Sequence, residues 1–203
     1  MAYKDVSITP KLIDSARKEF RLNGFERASV NTICRNAKVT TGALYKRFAT
    51  KEELFSYLVE EPAEELKLIL IDQSNCFYLL PKEKQLSSAF NSWQGEDKFI
   101  EYIYENKEDF LMIFTLSSGT RYEHYIDELT WLITKSTILF IEENHRITID
   151  GDMLEDLVHI LVSSYITGIL KPLLCNMTSK KTEMYIKYIK RFFYIGWKDL
   201  LGL

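Results

Sequence analysis

Residues that interrupt helices are scarce in this sequence. Only eight glycines and four prolines occur among 203 residues, which leaves few places for turns and favours long helices. The three cysteines, Cys34, Cys76 and Cys175, are far apart and form no Cys-x-x-Cys pair, so neither a disulfide framework nor a zinc site is indicated. We therefore expect neither a cofactor nor a metal, in a reduced cytoplasmic setting.

Motifs that carry catalysis are also missing from the sequence. It contains no phosphate-binding loop, no His-x-x-x-His or Glu-x-x-His motif and no nucleophile elbow. The three histidines, His124, His145 and His159, lie too far apart in sequence to form a local ligand set. No catalytic residue is predicted, and a helical enzyme remains only as an alternative.

The sequence predicts no membrane segment. The N-terminus lacks the apolar core of a signal peptide. The longest apolar stretch, Leu157–Leu174, includes a histidine, a lysine and three serine or threonine residues, and it is interpreted as a buried helix rather than a membrane span.

Charge is distributed unevenly along the chain. Residues 1–60 contain 11 Lys or Arg and 7 Asp or Glu, a net charge of +4, whereas the remainder contains 15 and 22, a net charge of −7. A basic N-terminal part followed by an acidic remainder would approach a polyanion such as DNA with the N-terminal part first. A difference of this size also arises by ordinary variation, so the charge alone does not establish DNA binding.

The stretch Ser29–Phe55 has the pattern of two short helices, a tight turn between them, and the start of another helix. Ser29 is a suitable N-cap for the first, and Lys38-Val39 forms the turn. Thr40 and Thr41 can cap the second helix, which begins near Gly42, and Thr50 with Glu53 forms a capping box for the next helix. A preceding helix is predicted over residues 9–22, ended by Asn23-Gly24. The pattern is a helix-turn-helix.

This stretch resembles the TetR/AcrR family of bacterial transcriptional regulators. The matching residues are Leu12 or Ile13, Ala16, Phe20, Gly24-Phe25, Ser29-Val30, Ile33-Cys34, Ala37-Lys38-Val39, Thr41-Gly42-Ala43-Leu44-Tyr45, Phe48 and Lys51-Glu52-Glu53-Leu54. The resemblance implies an all-α fold, with a three-helix helix-turn-helix DNA-binding domain over residues 1–55. A helical ligand-sensing and dimerisation domain would occupy residues 56–203.

The same resemblance implies a set of DNA-binding residues. They are Asn31, Thr40, Thr41, Gly42, Ala43, Tyr45, Lys46 and Lys51. Tyr45 and Lys51 fall on phosphate-contacting positions, whereas Asn31 and Lys46 fall where such proteins face the groove floor, and Asn and Lys can pair with adenine and guanine. Alternatively, Tyr45 is a half-buried core aromatic and the lysines belong to a solvated surface.

The rest of the chain is predicted to be helical. The helix that begins at Lys51 is expected to reach about Ile71, with a kink or break at Pro62. The last two helices, over residues 152–170 and 180–201, are apolar on more than one side. The family resemblance implies that they form a homodimer interface. Alternatively, other helices of the same chain cover both apolar faces.

Large aromatic residues are frequent in the middle of the chain, together with polar residues such as Ser136. The resemblance implies a pocket there for an apolar or aromatic small-molecule effector. The candidate ligand-binding residues are Trp93, Tyr102, Phe110, Phe114, Arg121 and Tyr125. Aromatic residues at helical spacing are more commonly core, and this alternative stays open.

The sequence thus predicts a DNA-binding transcriptional regulator, a repressor that binds a palindromic double-stranded operator as a homodimer and is released by a small molecule. The main alternative is a helical protein-interaction module that has lost specific DNA binding.

Overall fold

The structure is a computed structural model of the chain, and it describes residues 8–82, 84–85, 97–144 and 151–201. Every regular element in these ranges is a helix, which confirms the predicted all-α class. The bounds are α1 Ile8–Arg27, α2 Val30–Ala37, α3 Thr41–Tyr45, α4 Lys51–Tyr78, α5 Lys98–Glu105, α6 Lys107–Thr115, α7 Tyr125–Asn144, α8 Gly151–Leu174 and α9 Ser179–Leu200.

The chain packs as two compact units. The first contains the described residues up to Glu64 together with Glu108–Tyr125, and the second contains those of Glu65–Lys107 and Ile126–Leu203. The first unit therefore includes α1 to α3, the start of α4, and the segment around α6. The boundary expected at residue 55 separates two functions, whereas the two units are defined by packing. The functional boundary therefore stays a prediction.

The core of the first unit is aromatic and aliphatic. Leu12, Phe20 and Phe55 are fully buried, and the rings of Phe20 and Phe55 meet edge to face with centroids 5.1 Å apart. The Glu108–Tyr125 segment is attached to α1 by polar contacts as well. Arg17 pairs with Asp109, and the Phe25 N–H donates to the Leu116 carbonyl at 2.8 Å.

Gly24 interrupts α1 near its C-terminal end. Its φ of 70° and ψ of 169° lie outside the helical region, in a part of backbone space that favours glycine. The sequence predicted that Asn23-Gly24 ends the first helix, and the regular part of α1 does end there. Helical turns resume from Phe25 to Arg27, since the half-buried Phe25 ring packs edge to face on Phe55, with centroids 5.6 Å apart, and holds that turn in place.

Of the two predicted alternatives at Pro62, a break is wrong, because α4 continues through this residue, whereas a kink stays a prediction. Proline has no N–H to donate to the carbonyl four residues earlier, which normally weakens a helix. Here the turns around Pro62 are buried, with Val59, Ala63 and Leu66 fully inaccessible to solvent. Burial of this face compensates for the missing hydrogen bond, and α4 extends to Tyr78 rather than ending near Ile71.

Helices α8 and α9 pack on one another in the second unit. A Cβ atom built on Gly168 would lie 3.4 Å from the Ile189 side chain, so the two helices approach each other closely at this glycine. The corresponding position at Gly196 meets nothing within 4 Å, because this part of α9 faces away from the chain.

Helix α8 is also apolar enough to raise the question of a membrane. The stretch Met153–Leu174 has a mean hydropathy of 1.6 and is long enough to cross a bilayer, judged by length and composition alone. Only 39% of its most apolar window is buried inside the chain. The expectation of a buried helix is therefore met in part, and the rest of the helix presents apolar side chains at the surface.

Candidate nucleic-acid interface

Local hydrogen bonds build the start of α2. The Thr32 N–H donates to the Ser29 hydroxyl at 3.3 Å, which confirms Ser29 as the N-cap. The backbone N–H of Ser29 in turn donates to the buried carboxylate of Glu19 at 3.0 Å. From the same face of α1, the Ser15 hydroxyl donates to the Ile33 carbonyl at 2.9 Å. These bonds fix α2 against α1.

A tight turn joins α2 to α3. Lys38 adopts a left-handed conformation with a φ of 57°, and the Val39 N–H donates to the Cys34 carbonyl at 2.9 Å. Thr40 then caps α3 by accepting from the Ala43 N–H at 3.2 Å. Because Cys34 is buried, it acts here as a small apolar residue, and its burial raises the pKa of its thiol.

Helix α3 presents an exposed face next to a buried one. Leu44 is fully buried, whereas Tyr45 is 49% exposed. The other predicted DNA-binding residues of this segment are exposed or half-buried; they are Thr40, Thr41, Gly42, Ala43 and Lys46. The structure thus brings most of the predicted set together on one short helix. Asn31 is exposed on α2.

Tyr45 is therefore not a core aromatic in this fold. Its neighbour Arg47 has a structural role instead, since its guanidinium donates to the Ala43 carbonyl at 3.0 Å and to the Thr9 hydroxyl at 3.3 Å. These bonds tie the end of α3 to the start of α1. The Thr40 hydroxyl accepts from the backbone, and its proton remains able to donate to a ligand oxygen.

The start of α4 confirms half of the predicted capping box. The Glu53 N–H donates to the Thr50 hydroxyl at 3.0 Å, whereas the Glu53 carboxylate accepts from the N–H of Ala49, one residue before the cap. Helix α3 ends at Tyr45, and the chain then turns so that the N–H groups of Arg47 and Phe48 both donate to the Leu44 carbonyl. Phe48 is thereby buried, and α3 has only five residues.

Lys51 has contacts that the sequence did not indicate. Its ammonium donates to the carbonyls of Phe25, Glu26 and Ala28 at 2.8, 3.1 and 3.3 Å. It also lies over the Phe25 ring, 4.5 Å from the centroid. Lys51 thus closes the carbonyl end of α1. No local sequence signal reveals this role, because the partners are more than twenty residues away.

The predicted ligand-binding residues do not form one site among the described residues. Trp93 lies outside the described residues, and Tyr102 is half-buried on α5. Phe110, Phe114 and Tyr125 belong to the first unit, where successive ring centroids are 5.4 and 6.3 Å apart and Phe110 and Tyr125 are fully buried. Their packing is that of a core, which was the alternative interpretation.

Arg121 belongs to the first unit too. Its guanidinium donates to Glu60 at 2.6 Å and to the Tyr122 hydroxyl, and the Arg121 N–H donates to Glu52. The hydrogen bonds that the guanidinium donates to Glu60 and to Tyr122 raise its pKa. The contacts join the loop after α6 to α4, so Arg121 acts within the structure rather than in a pocket.

The second unit contains a cavity elsewhere. Its volume is about 490 Å³, and none of the five predicted ligand residues that the structure describes lines it. Ser136, one of the polar residues noted in the sequence, does line it, together with residues from α4, α5, α7, α8 and α9. Most of these residues follow ordinary helical spacing, and the sequence offers no sign of which apolar faces enclose empty space.

Comparisons with known proteins agree with the geometry of the N-terminal helices. Residues 12–58 match the model for bacterial regulatory proteins of the tetR family. The A-factor receptor protein of Streptomyces griseus is 44% identical over 50 residues, which span 25% of this chain and 18% of that protein. The Transposon Tn10 TetC protein of Escherichia coli is 24% identical over 73% of each chain.

The likeness to solved structures extends further along the chain. A transcriptional regulator of Aquifex aeolicus VF5, described as TerR/AcrR family, aligns with a TM-score of 0.54 over 94% of this chain and 98% of its own. The two sequences are 17% identical, so this similarity concerns the fold. It covers both units of the chain, whereas the identity with the A-factor receptor protein is limited to one stretch of 50 residues.

Proposed function

Because the chain belongs to the TetR/AcrR family of bacterial transcriptional regulators, we propose that it binds a palindromic DNA operator as a homodimer and represses transcription until a small molecule releases it. The observation that carries this proposal is the exposed face of α3, where Tyr45 and Lys46 point outward while Leu44 anchors the helix. A helix held in this way can enter the major groove. Such a regulator works in the cytoplasm.

Phosphate and base contacts divide between two groups of residues in this proposal. Tyr45 can donate its phenol proton to a phosphate oxygen, and the Thr40 hydroxyl can add a second contact. Asn31, Thr41, Gly42, Ala43 and Lys46 then lie towards the bases. Lys51 is retained as a phosphate contact only if its ammonium can leave one of the three α1 carbonyls.

Pairing of two chains through α8 and α9 accounts for their surplus apolar surface. Large side chains on these helices are exposed; they are Met153, Ile160, Met184, Tyr185, Tyr188, Phe192 and Ile195. Exposed apolar residues that line one pair of helices mark an association surface. The open space at Gly196 would allow a partner helix to approach closely. A symmetric pair presents two copies of α3, which explains why the operator would be palindromic.

A small molecule would bind in the 490 Å³ cavity of the second unit, which replaces the aromatic set predicted from the sequence. The cavity lies within the usual size range for ligand sites and has mainly apolar walls. Release from DNA requires that the ligand binds the non-DNA-binding arrangement more tightly than the other.

A gel shift with the DNA upstream of the protein's own coding sequence tests the proposal against its alternatives. A specific shift that weakens steeply with added salt is the expected result, because phosphate contacts displace counterions. A helical enzyme or an interaction module without DNA binding would produce no specific shift. That result would reject the proposed function.

Asn31→Ala is expected to relax base preference at one position in each half-site, at a cost of about 1–3 kcal/mol for the preferred base. For an operator already altered at that base pair, Asn31→Ala and the wild-type protein should bind with nearly the same affinity. The measurement is a competition assay with operators altered one base pair at a time.

Asn36→Ala is the matched control, because Asn36 is exposed on the same helix about 140° around its axis. If Asn31→Ala keeps the wild-type preference at every position, Asn31 does not read a base.

A further inference from the structure

The cavity of the second unit has a carboxylate, Asp97, in a wall that is mainly apolar. Phe77, Leu132, Phe140 and Val162 are among the apolar residues that line it, and Asp97 lies in the wall close to Tyr165. A carboxylate in such surroundings is costly unless it has partners. The partners of Asp97 therefore indicate what the cavity can accept.

Asp97 already has partners within the chain. It is the N-cap of α5, and its carboxylate accepts from the Phe99 N–H at 3.2 Å. Lys190 on α9, which is only 8% exposed, stabilises the negative charge. Burial raises the pKa of Asp97, while Lys190 and two backbone N–H groups oppose that rise. The negative charge is thus balanced by a buried positive charge.

Three hydroxyl groups in the same wall are paired within the chain. The Ser74 and Ser136 hydroxyls lie 2.9 Å apart, and the Thr137 hydroxyl donates to the Ile133 carbonyl at 2.8 Å. These groups need no ligand to satisfy them. Burial, together with the nearby Asp97 carboxylate, raises the pKa of the Tyr165 phenol, which keeps it neutral.

The opposite charges of Asp97 and Lys190 decide whether an anionic, a cationic or an uncharged polar group of a ligand fits beside Asp97. A ligand anion would face a carboxylate of the same sign in surroundings of low polarity, where repulsion is strong. A ligand cation would compete with Lys190, which already supplies the compensating charge. A hydroxyl can donate to a free lone pair of the carboxylate without adding any charge.

Lys135 also lines the cavity, and it is the residue most suited to an anionic head group. Its side chain is exposed, so its ammonium remains hydrated. Ion pairs at exposed positions contribute little, about 0–1 kcal/mol. This gain is smaller than the cost of placing a second negative charge near Asp97, and the cavity therefore favours uncharged molecules.

We propose that the effector is a neutral, mainly apolar molecule with a hydroxyl group that donates to Asp97, and that anions of the same shape bind more weakly. This inference rests on the proposed function in one respect, namely that the bound molecule regulates DNA binding. The chemical preference belongs to the cavity itself and holds whether or not the protein binds DNA.

Displacement of a neutral fluorescent probe, N-phenyl-1-naphthylamine, tests the proposal with the full-length protein. Decanol, decanoate and decylammonium share one chain and differ in charge. Half-displacement by decanol is expected at a concentration at least about tenfold below that of decanoate, which corresponds to about 1.4 kcal/mol. Decylammonium should fall between them or match decanoate.

Two kinds of variant assign the effect to Asp97 and to the cavity. Asp97→Asn keeps an N-capping side chain but removes the negative charge, so the gap between decanol and decanoate should shrink to less than about threefold. Ser136→Phe should abolish probe binding by filling the cavity, and Leu132→Trp serves as a second filling variant if the first does not fold. Glu142→Phe, exposed on the same helix and absent from the cavity wall, should bind the probe normally.

Each contrary outcome overturns the inference. Decanoate that displaces the probe as well as decanol, or an unchanged gap in Asp97→Asn, would refute the role of the carboxylate. Probe binding that survives both filling variants would place the ligand elsewhere. Failure of the proposed function is separate, because it would appear as the absence of a specific gel shift while the ranking of the three ligands remained intact.

Discussion

Phe192→Glu is expected to convert a dimer into monomers and to lower affinity for a two-half-site operator by about 100-fold or more. Phe192 is 73% exposed on α9, so in a single chain its large ring gains little from burial. A glutamate at the centre of an apolar interface would carry an unpaired charge into it, which strongly opposes association. Sedimentation equilibrium measures the mass, and a gel shift measures the affinity.

Leu79→Glu is the matched control for this variant, because Leu79 is 84% exposed, follows α4 directly and belongs to neither α8 nor α9. It should remain dimeric and bind DNA as the wild type does. A Phe192→Glu protein that stays dimeric with unchanged operator affinity would contradict pairing through α9. Thermal unfolding of both variants checks that each chain remains folded.

Lys51→Met is expected to destabilise the N-terminal unit by about 2 kcal/mol, because hydrogen bonds to charged groups contribute about 1.5–3 kcal/mol. Methionine keeps the apolar stem but leaves the carbonyls of Phe25, Glu26 and Ala28 without their shared donor. Urea unfolding measures the free energy of unfolding. Lys46→Met, at an exposed position on the same face as Tyr45, should change that free energy by less than about 0.5 kcal/mol.

The salt dependence of DNA binding distinguishes the two roles of Lys51. If the ammonium also contacts a phosphate, the slope of affinity against salt falls by about one for each subunit in Lys51→Met, and binding weakens equally for every sequence. An unchanged slope would remove Lys51 from the phosphate contacts and leave its role in closing α1. An unchanged free energy of unfolding would instead contradict that structural role.

Features of the fold that depend on neighbours in sequence could be predicted. The caps at Ser29, Thr40 and Thr50 form with N–H groups three residues further on, so the residue types and their spacing suffice. The positive φ of Gly24 follows from similar local reasoning. This is why the helix-turn-helix, and with it the family, could be recognised from the sequence.

Features that depend on distant residues could not be predicted. The unbroken course of α4 through Pro62 depends on burial of Val59 and Leu66, which periodicity alone does not weigh against a missing hydrogen bond. Helical spacing also identified Phe110 and Tyr125 as inward-facing without indicating which interior they fill. Both pack in the core of the first unit rather than in a ligand cavity.

Asp97 illustrates the limit of a local interpretation. A carboxylate just before a helix is expected to be an N-cap, and it is one. Its second property, a place in a cavity wall where Lys190 stabilises its negative charge, depends on α9, more than ninety residues further along the chain. The candidate effector site therefore emerges from the packing, whereas the candidate DNA-binding face could be read from the sequence.

Selection of bound sequences from random duplex DNA is the most direct test of the central claim that paired copies of α3 read the major groove. We expect an enriched site made of two inverted half-sites, with preference lost in one position of each half in Asn31→Ala. Recovery of no enriched sequence, or of a single half-site without its inverted copy, would contradict the account.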